Sequence, residues 1–132
     1  MCIRDRDNID LPAATQKGII VMNTPDVNTV SAAEHTIGIM LSLARNISIA
    51  NQRLNSGKWD RNNLVGTELR NKTIGIVGLG KIGREVMTRC LSFGMRVIGY
   101  DPIIEELPNW IEKVSLESLF EQSDFILSLI HI

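Results

Sequence analysis

Cysteine and histidine are nearly absent from this 132-residue chain: Cys2 and Cys90 are its two cysteines, His35 and His131 its two histidines. Two thiols allow at most one disulfide, and Cys90, the one thiol left once the terminal Cys2 is set aside, can build neither a disulfide framework nor a zinc cluster, a pattern that suits a reducing cytosol. Charge of one sign is also lacking, since 14 Lys and Arg stand against 15 Asp and Glu. Such a balance offers nothing to nucleic acid or to an anionic membrane surface. No apolar run approaches the roughly 18 residues of a membrane span, and no signal peptide pattern is visible at the start. The expectation is a cytoplasmic protein with no metal site, no nucleic-acid partner and no membrane partner.

The first and last six residues share a feature visible only in codons. Met1-Cys-Ile-Arg-Asp-Arg6, back-translated as ATG TGT ATA AGA GAC AG, has the reverse complement CTG TCT CTT ATA CAC AT, which reads Leu127-Ser-Leu-Ile-His-Ile132. Inverted copies of one oligonucleotide look like the mosaic-end adapter of transposon-based sequencing libraries. Residues 1–6 and 127–132 are therefore expected to lie outside the fold. Setting aside Arg4, Arg6 and Asp5 leaves 12 basic against 14 acidic residues, with Cys90 and His35 as the remaining thiol and imidazole.

What is present is an ordered run of strand and helix signals. Asp7 to Gly18 reads as a short helix, with Asp10 as N-cap, Pro12 in its first turn and Gly18 just past its end. Ile19 to Met22 reads as a brief apolar strand. The proline-bearing connection Asn23 to Thr29 is the best hinge or domain boundary. Ser31-Ala-Ala-Glu34 has the spacing of a capping box opening a long helix, followed by a second helical stretch, Ser48 to Ser56, stopped by Gly57. Lys58 to Arg70 is a polar loop around Trp59 and Leu64. A buried strand (Thr73–Val77), a helix (Ile82–Phe93), a second strand (Arg96–Tyr100), a short helix capped by Ser115 and a third strand starting at Asp124 complete the series. Alternation of this kind predicts an α/β fold, the first half of a doubly wound parallel sheet.

The chemistry is concentrated where the first strand enters Gly78-Leu-Gly80-Lys-Ile-Gly83. In a G-x-G-x-x-G turn that follows a strand and opens a helix, the first glycine makes the tight turn, the second admits a pyrophosphate, and the third lets helix and strand pack closely. An anion there is held by free first-turn N–H groups and the helix dipole, so Lys81 and Ile82 would contribute backbone rather than side chain. Asp101, closing the second strand, is placed to accept hydrogen bonds from a ribose; its bland alternative is a turn with Pro102. His35 reads as a solvated first-turn residue, Cys90 as packing, and Trp59 as a core or interface anchor.

Taken together, Asp7-Asn-Ile-Asp10, Asn23-Thr-Pro25, Ser31-Ala-Ala-Glu34, Ala44-Arg45-Asn46, Gly57-Lys-Trp59, Gly66-Thr-Glu-Leu69, the glycine turn and Tyr100-Asp-Pro102 resemble the D-2-hydroxyacid dehydrogenase family. The resemblance implies an NAD-dependent enzyme acting on a small anionic D-2-hydroxy acid, 3-phosphoglycerate first and hydroxypyruvate, glyoxylate or D-lactate as rivals. A corepressor-like, NAD-sensing binding protein is the alternative of another class. It further implies that residues 7–26 end a flavodoxin-like substrate domain and residues 27–126 begin the NAD-binding domain. The catalytic Arg, Glu and His of the family would lie downstream, leaving no catalytic residue here. Two such domains would pair through the helix from Ser31 and the Trp59 segment as a homo-oligomer. With the chain ending at residue 126, the first strand would lack a neighbour on one side.

Overall fold

The computed structural model describes residues 9–22, 27–104 and 108–129, which include five helices and a four-stranded sheet. Helix α1 (Leu11–Gln16) forms as its sequence demands: the Asp10 carboxylate accepts from the Ala13 N–H at 3.0 Å, and Gly18 takes φ +67° just past the end. The expected strand at Ile19 to Met22 does not form. Ile20 and Met22 are over four-fifths exposed, with no strand of the sheet alongside them. An isolated apolar strand has nothing to bond to. The hinge residues Asn23 to Asp26 lie outside the described residues.

Helix α2 (Thr29–Ala44) begins earlier than the capping box predicted. Asn28 is its N-cap, and the Ser31 hydroxyl donates back to the Asn28 carbonyl at 3.1 Å. Ser31 is thus inside the first turn, where hydroxyls bond backward along the helix. Asn46, at φ +55°, breaks the path between α2 and α3 (Ile47–Asn55), and Gly57 (φ +75°) follows the end of α3.

Strand β1 (Thr73–Val77) leads into α4 (Lys81–Ser92), which returns through Gly94 to β2 (Arg96–Tyr100). A two-residue strand, β3 (Glu112–Lys113), too short and polar to show in the sequence, pairs with β2. Helix α5 (Leu116–Gln122) starts as expected, with Ser115 accepting from the Ser118 N–H. Strand β4 (Phe125–Ser128) then pairs in parallel with β1. The order is β3-β2-β1-β4.

This order corrects two expectations. The strand beginning near Asp124 is the fourth, and it covers the edge of β1 that was to be left bare. The sheet also runs past residue 126: Leu127 and Ser128 pair with Ile76 and Val77, and the Leu129 N–H donates to the Val77 carbonyl at 2.8 Å. Phe125, Leu127 and Leu129 are half-buried while Ile126 and Ser128 face out, the period of two a strand requires. Residues 1–6 lie outside the described residues.

Glycines decide how closely the layers approach. A Cβ on Gly75 would sit 2.6 Å from Leu119, and one on Gly99 would sit 2.6 Å from Leu79, so α5 and the β1–α4 turn press directly onto opposite faces of the strands. One face carries a core of Ile37, Met40, Ile74, Ile76, Met87 and Cys90; the other carries Val77, Ile98 and Leu119. Each such side chain, fully removed from water, contributes about 1.5–3 kcal/mol. Burial also pushes the Cys90 thiol up to about 11, so it stays protonated and serves as packing.

Candidate functional site: the glycine turn and Asp101

All six residues singled out in the sequence meet in one cleft. Gly78, Gly80, Lys81, Ile82, Gly83 and Asp101 line a cavity of about 610 Å³ at the carboxyl ends of β1 and β2, together with Thr29, Ile103, Ile104 and Leu129. These last four carry no motif, and only the fold brings them to the strand ends. In open α/β sheets that crevice is where ligands bind.

Each glycine shows its reason. Gly78 has φ +101°, a left-handed conformation that a side chain would strain. Gly83 is held by contact, since a Cβ there would lie 2.2 Å from the Gly78 carbonyl oxygen. Gly80 differs from both: its φ is −66°, and a Cβ would meet no protein atom within 4 Å. Neither strain nor protein packing demands glycine at that position, which leaves space for something outside the protein. The residues present therefore fit a dinucleotide. Gly80 is the N-cap of α4, whose first-turn N–H groups have no acceptor within the helix.

Asp101 is buried, 7% exposed, and both its oxygens are in use. One accepts from the Leu79 N–H at 2.8 Å; the other accepts from the N–H groups of Ile103 and Ile104 at 2.8 and 2.9 Å. Burial pushes the carboxyl up, but the N–H groups of Ile104, Leu79 and Ile103 and the charge of Lys113 outweigh it, holding the pKa below the ordinary carboxylate value. The two sequence readings of Asp101 thus merge: it shapes the turn after β2 and still presents an ionised carboxylate, which has about four acceptor sites. Lys113 was missed in sequence because it lies on the short β3, twelve positions on. Its ammonium donates to the Ile104 carbonyl at 2.7 Å, steadying the loop that follows Asp101.

Other candidates fall away from the cleft. His35 is exposed on α2. Trp59 is 83% exposed, so it is no core residue of this chain. His131 lies outside the described residues. Among the described residues no three His, Cys, Asp or Glu side chains gather as metal ligands, and no helix is long and apolar enough to cross a membrane.

A parallel sheet with a glycine turn and an acidic residue ending the next strand defines the dinucleotide-binding class. Residues 37–132 match the family described as D-isomer specific 2-hydroxyacid dehydrogenase, NAD binding domain. The chain belongs to that family, and its cofactor is NAD. Over 124 residues it is 55% identical to D-3-phosphoglycerate dehydrogenase of Methanocaldococcus jannaschii, covering 91% of this chain and 24% of that protein. Hydroxypyruvate reductase of Thermotoga maritima is 48% identical over 120 residues, 91% of this chain and 39% of that one. The solved apo-structure of Escherichia coli D-lactate dehydrogenase superposes with a TM-score of 0.85 at 33% identity, covering 98% of this chain and 42% of that chain. The chain thus spans about a quarter of the length of the phosphoglycerate dehydrogenases it matches.

Proposed function

We propose that this chain forms the first half of the NAD-binding domain of an enzyme that oxidises a D-2-hydroxy acid, with 3-phosphoglycerate as substrate and 3-phosphohydroxypyruvate, a serine precursor, as product. The observation that carries the reading is the ionised, buried Asp101 in the same cleft as the Gly78–Gly83 turn. In this reading the N–H groups of Gly80, Lys81, Ile82 and Gly83 hold the pyrophosphate, and Asp101 accepts from the adenosine ribose hydroxyls. Bound NAD supplies a hydride acceptor. The chain's own residues bind and orient it, while the substrate clamp and proton acceptor come from elsewhere in the full-length enzyme. Identities of 55% and 53% to phosphoglycerate dehydrogenases support the substrate, and the 48% identical hydroxypyruvate reductase favours hydroxypyruvate as the second reading.

Residues 7–26 end the substrate domain in this reading and residues 27–126 begin the NAD-binding domain, and the buried thiol of Cys90 suits a cytoplasmic enzyme. Helix α2 supports a homodimer. It buries Ala33, Ile37, Met40 and Ala44, yet leaves Val30, Ile39 and Leu43 more than half exposed, and Trp59 is exposed as well. The test is calorimetric titration of the full-length protein with NADH and NADPH. Strong preference for NADH is expected, because Asp101 repels a 2′-phosphate; equal affinities would sink the assignment of Asp101. Turnover with 3-phosphoglycerate against hydroxypyruvate then separates the two substrates.

A further inference from the structure

The peptide between Leu79 and Gly80 is held by Arg84, and the peptide before it by Asp101. Its preceding N–H, that of Leu79, is held by Asp101 at 2.8 Å, and the Leu79 carbonyl accepts from Arg84 Nε–H at 3.0 Å. The Leu79 side chain is fully buried against β2, and Leu79 is not among the residues lining the cleft, whereas Gly78 and Gly80 are. A trans peptide is planar, so its C=O and the following N–H point in opposite directions. Holding the Leu79 carbonyl away from the cleft therefore aims the Gly80 N–H toward it.

Gly80 makes this restraint necessary. With no side chain and no protein atom within 4 Å of its Cβ position, Gly80 does not itself fix the preceding peptide, because glycine tolerates a wider range of backbone angles than any other residue. A flipped peptide would present a carbonyl oxygen to the cofactor's phosphates, where it repels. The glycine that admits the ligand thus loosens the turn that must receive it. We propose that Arg84 is a positioning residue of the dinucleotide site: through the Leu79 carbonyl it fixes the Gly80 N–H for the pyrophosphate. Arg84 lies one position beyond the glycine motif, on the first turns of α4, and is half-buried.

The proposal rests on the dinucleotide reading, and its test separates the two. Full-length protein and its Arg84→Met, Arg84→Gln and Arg84→Lys variants are titrated with NADH, ADP and adenosine, after thermal melts of each. Arg84→Met should weaken NADH and ADP by about tenfold, the net worth of one lost charge-assisted hydrogen bond, and leave adenosine, which lacks the pyrophosphate, unchanged. Arg84→Gln, which keeps a planar N–H donor without the charge, should restore most of the loss, and Arg84→Lys should not. Equal weakening of adenosine would show general damage to the domain and overturn the proposal. Rescue by Lys and not by Gln would assign Arg84 a direct charge contact instead. If wild-type protein binds neither NADH nor ADP, the dinucleotide reading itself fails. Relaxation dispersion confined to the Leu79 and Gly80 amides in Arg84→Met would report the loosened peptide directly, and a silent turn would overturn the restraint.

Discussion

The cleft at the strand ends and the outer face of α2 and α3 are built on opposite terms. In the cleft the groups that frame the turn are partnered within the chain: Gly78 donates to Tyr100, Leu79 is held at both its N–H and its carbonyl, and Asp101 serves three N–H groups. On the outer face Ile39, Leu43, Ile47 and Leu54 stand exposed, as does Trp59 in the loop that follows α3. A ligand site must be rigid before its ligand arrives, whereas an apolar face gains its free energy only when covered. Substitutions in the first region should therefore act on the isolated protomer, and those in the second on association.

The largest effect is expected at Gly83. A methyl group there meets the Gly78 carbonyl oxygen at 2.2 Å, a backbone contact that cannot yield cheaply. Gly83→Ala in the full-length protein should lose about 1–3 kcal/mol of stability through overpacking and abolish NADH binding, as read by urea melts and calorimetry. A variant that melts and binds like wild type would mean the turn adapts.

Asp101→Ala should weaken NADH by about 1.5–3 kcal/mol, the range for hydrogen bonds to a charged group. It also strands three N–H groups. The carboxyl's pKa is lowered on folding, so its stabilisation is present above the unfolded value near ~3.9 and is lost as pH falls through the lower folded value. Wild-type stability should accordingly drop across that acid window, and Asp101→Asn should flatten the drop in urea melts taken at pH 2 to 5, values chosen to span it.

Leu43→Glu or Ile39→Glu sharpens the contrast from the other side. Both positions are more than half exposed, so the protomer should shift by no more than about 0.5 kcal/mol. Sedimentation of the proposed homodimer at micromolar protein should nevertheless move toward monomer, since a buried unpaired charge is costly. A dimer that survives both changes would place the interface elsewhere.

Gly80→Ala should show the smallest change in stability. Its added methyl meets no protein atom, and its backbone is ordinary, so the melting temperature should hold while NADH affinity falls. Alanine there with unchanged affinity would show that the space serves no ligand. Cys90 offers a check on the core beneath. With its pKa near 11, a thiol reagent at pH 8 should label it only on unfolding, and its small contribution to stability should fade between about 8.5 and 11.

The sequence alone determined the elements whose causes are local. Asp10, Gly18, Gly57, Gly94 and Ser115 sit at helix ends because caps depend on residues within one turn. The short, largely apolar runs of β1 and β2, bounded by turns, read as strands buried on both faces, and the glycine spacing followed by Asp101 points to the cofactor class. Tertiary structure decided the rest. It moved the start of α2 to Thr29, left Ile19 to Met22 without a partner strand, and made a strand of Glu112 and Lys113, whose polar side chains give no pattern. It carried β4 through Ser128, because pairing with β1 rewards a period of two over whichever residues follow Ile126. It also brought Thr29 and Leu129 to a site that no motif assigns them. Such contacts join residues far apart in the chain, and their free energy exists only once the sheet has closed around them.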